Sequence, residues 1–204
     1  MILSTDKLGK KFNRDWIFRN LSYQFSPGIH AITGPNGSGK STLLQVLWGQ
    51  MPASSGSMAY KHEESFISET EIYRHISIAS PYMDLIDEFT LEEMVRFHFQ
   101  FKSHRHNLSI NEILAQLELE HARNKAIGKF SSGMKQRTKL GLAFFSNVPL
   151  IFLDEPSTNL DASAFAWYWK QLSSLPKEVT VLIASNQAEE YPPDCKKINI
   201  LDFK

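Results

Sequence analysis

Cysteine is almost absent: Cys195 is the only one in 204 residues. Neither an intrachain disulfide nor a four-thiolate zinc site can form, which fits a reducing, cytoplasmic setting. An excess of charge of one sign is also missing, because 22 Lys+Arg balance 22 Asp+Glu and the pI is near 7.1. That removes the long-range attraction a general nucleic-acid binder or membrane-surface binder relies on. Long apolar runs are missing too. The longest uncharged stretch, residues 140–153, is interrupted by Asn147 and Pro149, whereas a spanning helix needs about 20 apolar residues. The opening MILSTDKLGKKF breaks up before signal-peptide length. No nucleic-acid partner and no direct membrane insertion are expected. With no repeat and no Gly/Ser linker, residues 1–204 read as a single domain with an insertion.

The remaining composition, 42% hydrophobic and 22% charged, suits a globular chain with a sizeable core. Residues 29–33, I-H-A-I-T, form a short apolar run entered through Pro27-Gly28 and read as a buried strand. A helix is expected from Ser41, with Leu43, Leu44, Val46 and Leu47 on its apolar face and Gly49 as its stop. Residues 81–128 turn helical. Thr90 with Glu93 makes a capping-box spacing ahead of Met94, Val95, Phe97 and Phe101, and Ser109 with Glu112 opens a second helix carrying Ile110, Ile113, Leu114 and Leu117. The unbroken runs 150–153 and 179–184 read as strands buried on both faces. Strands alternating with helices predict an α/β fold with a mostly parallel sheet.

Residues 34–41, G-P-N-G-S-G-K-S, match G-x-x-x-x-G-K-[ST] between a predicted strand and a predicted helix. In that context Gly34, Pro35, Asn36, Gly37, Ser38 and Gly39 turn backbone N–H groups toward a phosphate. Lys40 reaches the β- and γ-phosphates of ATP, Ser41 supplies a hydroxyl for Mg²⁺, and Thr42 follows on the first helical turn. At the far end of strand 150–153, Asp154 is placed to hold Mg²⁺ and Glu155 to orient or deprotonate the attacking water. Alone, that pair would read equally well as a solvated acidic turn.

Residues 130–137, F-S-S-G-M-K-Q-R, resemble the LSGGQ-x-QR signature of ATP-binding cassette (ABC) ATPases, and residues 157–161, S-T-N-L-D, resemble their D-loop. The order of phosphate loop, helical insertion, signature, Asp-Glu and D-loop covers almost the whole chain. The resemblance implies a P-loop NTPase (RecA-like) core with an N-terminal antiparallel β-subdomain. The core would span residues 1–80 and 129–204, with a helical subdomain inserted at 81–128. It also implies a head-to-tail homodimer around ATP and Mg²⁺, in which Ser131, Ser132 and Gly133 contact the other copy's nucleotide and Asn159 and Asp161 serve the D-loop. Phe12 aligns with the aromatic residue that stacks on adenine, with Trp16 as the fallback.

Two positions depart from the family pattern. Pro81, beside Ser80, stands where a glutamine normally links the metal and water to the helical subdomain, and Asn186 replaces the switch histidine. Asparagine donates a neutral hydrogen bond but carries no proton or positive charge. Slow hydrolysis is the expectation, with Glu155, Lys40 and Asn186 as the catalytic set. His98, His104 and His106 cluster in sequence, but no carboxylate or thiolate completes a standard ligand spacing, and H-R-H reads as solvated surface. Phe165, Trp167, Tyr168 and Trp169 read as helix packing. The leading expectation is a cytoplasmic ATPase subunit, peripheral on the membrane and driving a separate integral permease. The alternatives are a nucleotide-gated module with vestigial turnover and a soluble ABC ATPase acting on an assembly partner.

Overall fold

The computed structural model describes residues 1–204. In chain order its elements are β1 (Ile2–Phe12), β2 (Asp15–Phe25), β3 (Gly28–Thr33), α1 (Lys40–Leu47), β4 (Ser55–His62), β5 (Ser65–Ile67), β6 (Ile76–Ala79), α2 (Leu91–His98), α3 (Ile110–Gln116), α4 (Ser132–Phe145), β7 (Leu150–Asp154), α5 (Ala162–Ser173), β8 (Thr180–Ala184) and β9 (Lys196–Asn199). They fall into two compact units: Met1–Ile76 with Pro149–Glu155 and Pro176–Lys204, and Ser77–Val148 with Pro156–Leu175.

The first unit holds two kinds of sheet. One is antiparallel, in the order β2-β1-β4-β5. It buries Leu3, Leu8, Phe18, Leu21 and Phe25, whose irregular spacings within each strand go with the register shifts that interrupt the β1–β2 ladder. The other is parallel through β7-β8-β3-β9, with Leu150 opposite Thr180 and Thr180 opposite Gly28. Every residue of β7 and β8 is buried, the reason their sequences are unbroken apolar runs rather than alternations. Helix α1 sinks Leu43, Leu44, Val46 and Leu47 completely. Trp48 at its end meets the Phe152 ring edge-on at 5.7 Å, and Tyr60 Oη donates to Leu47 O at 2.7 Å.

The second unit is helical. Both capping boxes form: Thr90 Oγ1 accepts from Glu93 N at 3.3 Å while Glu93 Oε2 accepts from Thr90 N at 2.8 Å, and Ser109 and Glu112 do the same for α3. This unit also holds α4 and α5. Trp167 and Tyr168 of α5 are buried as core aromatics, and Trp167 Nε1 donates to Gln116 O at 2.7 Å.

Two expectations for this unit need correction. Phe97 and Phe101, named with Met94 and Val95 as the apolar residues after the first capping box, are 38% and 69% exposed; only Leu91, Met94 and Val95 fill the buried stripe of α2. H-R-H is not solvated surface at its centre. Arg105 is buried and donates to Phe144 O, Ser146 O and Val148 O at 3.0, 2.8 and 3.1 Å, closing the carbonyl end of α4. His98 Nε2 lies 2.9 Å from Ser146 Oγ, which itself donates to Leu142 O at 2.6 Å.

Burial, then the nearby Lys102 charge, holds the His98 imidazole at about 4, below its ordinary value near 6.5. The folded ring therefore binds fewer protons than the unfolded one between those values. Its contribution is complete above pH 6.5 and is lost as pH falls toward 4. We expect up to about 3 kcal/mol of acid destabilisation from this site. Urea midpoints at pH 7 and 4.5 should separate more for wild type than for His98→Gln, and equal separations would exclude His98 as the source.

Candidate active site

Three strands of the parallel run end where sequence motifs begin. After β3, residues 34–39 curl into a loop with Gly34, Gly37 and Gly39 at φ of 145°, 74° and 103°, conformations open to glycine at little cost. Two of these positions also lack room. A Cβ on Gly39 would run into Ile17 Cγ2, and one on Gly34 would stand 2.7 Å from Ile200 Cγ2. The loop is thus walled by β2 and by the turn Ile200–Phe203. Helix α1 follows with no acidic residue of its own in the first turn, and its N-terminus faces the loop. Lys40 is buried to 4% exposure, and its Nζ donates to Gly34 O at 2.9 Å and Pro35 O at 3.1 Å.

Strand β7 delivers Asp154, fully buried, to the start of α1, where Ser41 Oγ donates to Asp154 Oδ1 at 3.0 Å. A hydroxyl and a carboxylate oxygen so close together suit a hard divalent cation such as Mg²⁺, which takes few protein ligands and completes its shell with phosphate and water. Glu155, half-buried, has a left-handed φ of 45°, and its N–H donates to Ala184 O at 2.9 Å, so its backbone is held against the end of β8. Two residues past β8, the exposed Asn186 donates from Nδ2 to Asn36 Oδ1 at 2.8 Å. The switch position and the phosphate loop are therefore in direct contact. Lys40, Ser41, Asp154, Glu155 and Asn186, separated by up to 146 positions in the chain, are gathered at one edge of one sheet.

Phe12 and Trp16 flank the β1–β2 turn, 45% and 36% exposed, each with a lysine over its ring: Lys10 at 5.2 Å and Lys11 at 5.4 Å. Ile17, which walls Gly39, follows Trp16 directly, so the hairpin end borders the loop.

In the second unit, Ser131 caps α4, its Oγ accepting from Met134 N at 3.2 Å. Asp161 caps α5, accepting from Ala164 N at 2.8 Å and Ser163 Oγ at 2.7 Å, contacts that hold its carboxyl below the usual range. A cavity of about 370 Å³ opens between them, lined by Ser131, Ser132, Gly133, Asn159 and Asp161. A Cβ on Gly133 would lie 2.8 Å from Asn159 O. Gly133 therefore answers to a crowding within the chain, a constraint that the reading of it as an approach point for a second copy does not include. Ser80 is buried, and its Oγ accepts from Tyr82 N at 3.3 Å, so it shapes the turn around Pro81.

Sequence reasoning missed several residues. Gln136, buried on α4, donates to Pro156 O at 2.9 Å; its place in the Q-R pair of the signature was the available signal. Glu118 and His121 also line the signature cavity, and Ile17, Ile200 and Lys204 border the phosphate loop. No local pattern marks any of these five.

A strand, phosphate loop and helix, with acidic residues ending another parallel strand of the same sheet, define a phosphate-loop NTPase fold of the α/β class. A family sequence profile described as "ABC transporter" matches residues 18–158, and the chain belongs to that family. It is 27% identical over 198 residues to Nod factor export ATP-binding protein I of Burkholderia thailandensis, covering 95% of this chain and 65% of that one. It is 29% identical over 192 residues to the bacitracin transport ATP-binding protein BcrA of Bacillus licheniformis, covering 93% and 63%. The chain thus spans somewhat under two thirds of the length of these curated relatives. The fold also matches a solved ATP-binding subunit of an ABC transporter with a TM-score of 0.78 at 22% identity, over 98% of this chain and 86% of that one.

Gly39→Ala should both destabilise the protein, by about 1 to 3 kcal/mol for a side chain forced into a left-handed position, and weaken MgATP binding by at least about tenfold, since the loop must shift off Ile17. Thermal melts and titration with a fluorescent ATP analogue would check this. Wild-type affinity in the variant would mean that the loop does not need its observed shape.

Proposed function

We propose that the chain is the ATP-binding and ATP-hydrolysing subunit of an ABC transporter, closing as a homodimer around two Mg-ATP to drive a separate integral permease at the cytoplasmic face of the membrane. The observation that carries the ATPase reading is the 3.0 Å bond joining Ser41 to Asp154, which fixes the phosphate loop against the acidic strand end. The permease reading is supported by exposed apolar side chains on the helical unit: Phe97 and Phe101, 38% and 69% exposed with ring centroids 5.3 Å apart, and the exposed Tyr82 and Met83. The dimer reading rests on the signature cavity, where backbone N–H groups at the start of α4, a helix with no acidic residue in its first turn, are available to an anion.

Each step follows from the residues in place. Lys40 and the loop N–H groups hold the β- and γ-phosphates, and Phe12 or Trp16 stacks on the base. Ser41 and Asp154 would hold Mg²⁺, which when bound would neutralise charge on the phosphate oxygens. Glu155 takes a proton from water as the water oxygen attacks the γ-phosphorus and the bond to the ADP oxygen breaks. Asn186 donates one neutral hydrogen bond to the γ-phosphoryl oxygens, in exchange for its bond to Asn36.

A second reading, a nucleotide-gated module with vestigial turnover, is favoured by Pro81, which has no amide to offer in place of the glutamine. Glu155→Gln separates the two. It should lower single-turnover hydrolysis by about 10²- to 10⁴-fold and leave an ATP-dependent dimer visible by size exclusion, which Lys40→Ala abolishes. Wild-type hydrolysis no faster than that of Glu155→Gln, with ATP bound in both, would favour the module. A variant that stays monomeric in saturating Mg-ATP would count against the sandwich.

Asn186→Ala should slow hydrolysis by about 5- to 30-fold, the cost of one neutral hydrogen bond, and Asn186→His should match or exceed wild type because a protonated ring is the stronger partner for the developing charge. If alanine leaves the single-turnover rate unchanged, Asn186 takes no part in the chemistry.

A further inference from the structure

The phosphate loop is held from outside by a lysine far away in sequence. Strand β9 runs beside β3, with Asn199 opposite Thr33, so the turn that follows β9 is delivered to the same corner as the loop that follows β3. There Ile200, fully buried, walls Gly34. The Lys204 ammonium ends on two main-chain carbonyls, Ile17 O at 2.8 Å and Ser38 O at 2.7 Å. Arg19 Nε donates to Lys204 O at 3.2 Å and fixes the backbone from which that side chain extends.

The bond to Ser38 O acts on the part of the loop least able to hold itself. Across a planar trans peptide the carbonyl and the following N–H are antiparallel, and no cis peptide occurs in the chain. Fixing the direction of Ser38 O therefore fixes the Gly39 N–H that opens α1. Gly39, at φ 103°, has no side chain to fix that plane, and Ser38 Oγ, 5% exposed, has no hydrogen-bond partner with which to anchor it. That hydroxyl is a buried donor in the loop with its capacity unspent.

We propose that Lys204 is a positioning residue of the phosphate loop: it orients the Ser38–Gly39 peptide for nucleotides that carry a β-phosphate, and its charge adds to the field of the loop. The inference rests on the ATP-binding reading of residues 34–41 and goes beyond it by naming a residue that holds a loop carbonyl, Ser38 O, other than the two that Lys40 holds. Because it acts on the loop and not on the γ-phosphate, it serves ADP and ATP alike, which separates it from Asn186.

The test is a titration of wild type, Lys204→Met and Lys204→Arg with MgATP, MgADP and AMP, alongside thermal melts without nucleotide. We expect Lys204→Met to weaken ATP and ADP together by about 5- to 30-fold, the scale of a lost charge-assisted hydrogen bond, with AMP affinity and the melting temperature unchanged. Lys204→Arg should recover most of the loss. Unchanged ATP and ADP affinity in Lys204→Met would overturn the inference, as would a loss confined to ATP, a loss shared by AMP, or an arginine variant as weak as the methionine one. Lys40→Ala is the control for the underlying reading. A wild-type chain that binds ATP no better than Lys40→Ala would remove that reading, and this inference with it, whereas a difference between those two beside an unaffected Lys204→Met would remove the inference alone.

Discussion

Parallel pairing of β3 with β8 and of β8 with β7 is the constraint on which the rest of the site depends. In a parallel sheet all strands end at the same edge, so the residues that follow them meet whatever their separation in the chain. Here the register sets Ile32 opposite Ala184 and Ala184 opposite Asp154. The Ser41–Asp154 bond, the tie from Glu155 N to Ala184 O and the Asn186–Asn36 contact are all consequences of that register. A slip of one residue would exchange the two buried faces of β7 and separate all of these contacts.

The parts of the fold that could be read in advance were those encoded locally. The runs at 150–153 and 179–184 became fully buried strands, and both capping boxes formed, because burial on two faces and N-cap satisfaction each leave a signature within a few residues. The phosphate loop was legible for the same reason. Arg105 was not, since its partners are the carbonyls at and beyond the end of α4, about 40 positions later, and a lone arginine between histidines carries no trace of them. Phe97 and Phe101 misled in the opposite direction: their spacing fits an apolar face, but α2 is only eight residues long and its buried stripe is filled without them. Lys204 and Ile17 belong with Arg105, being defined by tertiary neighbours alone.

Several polar side chains serve local structure and the site at once. Ser131 and Asp161 each satisfy a backbone N–H at the start of a helix, and both line the signature cavity. Gln136 holds the main chain at Pro156, directly after the acidic pair, from within α4. A substitution at any of them therefore changes a cap or a backbone anchor as well as a contact surface, and the two effects separate only when stability and binding are both measured.

The interior place of β3, between two strands from much later in the chain, also bears on how the chain is made. Its two neighbours are β8 and β9, so Gly28 must wait for Thr180, and His30 for Lys196, before either pairs. At synthesis rates of about 5 to 20 residues per second, those partners emerge on the order of 10 to 30 s after β3 itself. Throughout that interval the apolar segment Ile29 to Ile32 has both edges unpaired, while the antiparallel hairpin of β1 and β2 can close on its own within microseconds. The nascent chain therefore presents an unpaired strand until β8 and β9 leave the ribosome, and the contacts that the phosphate loop makes beyond those strands wait for the same moment.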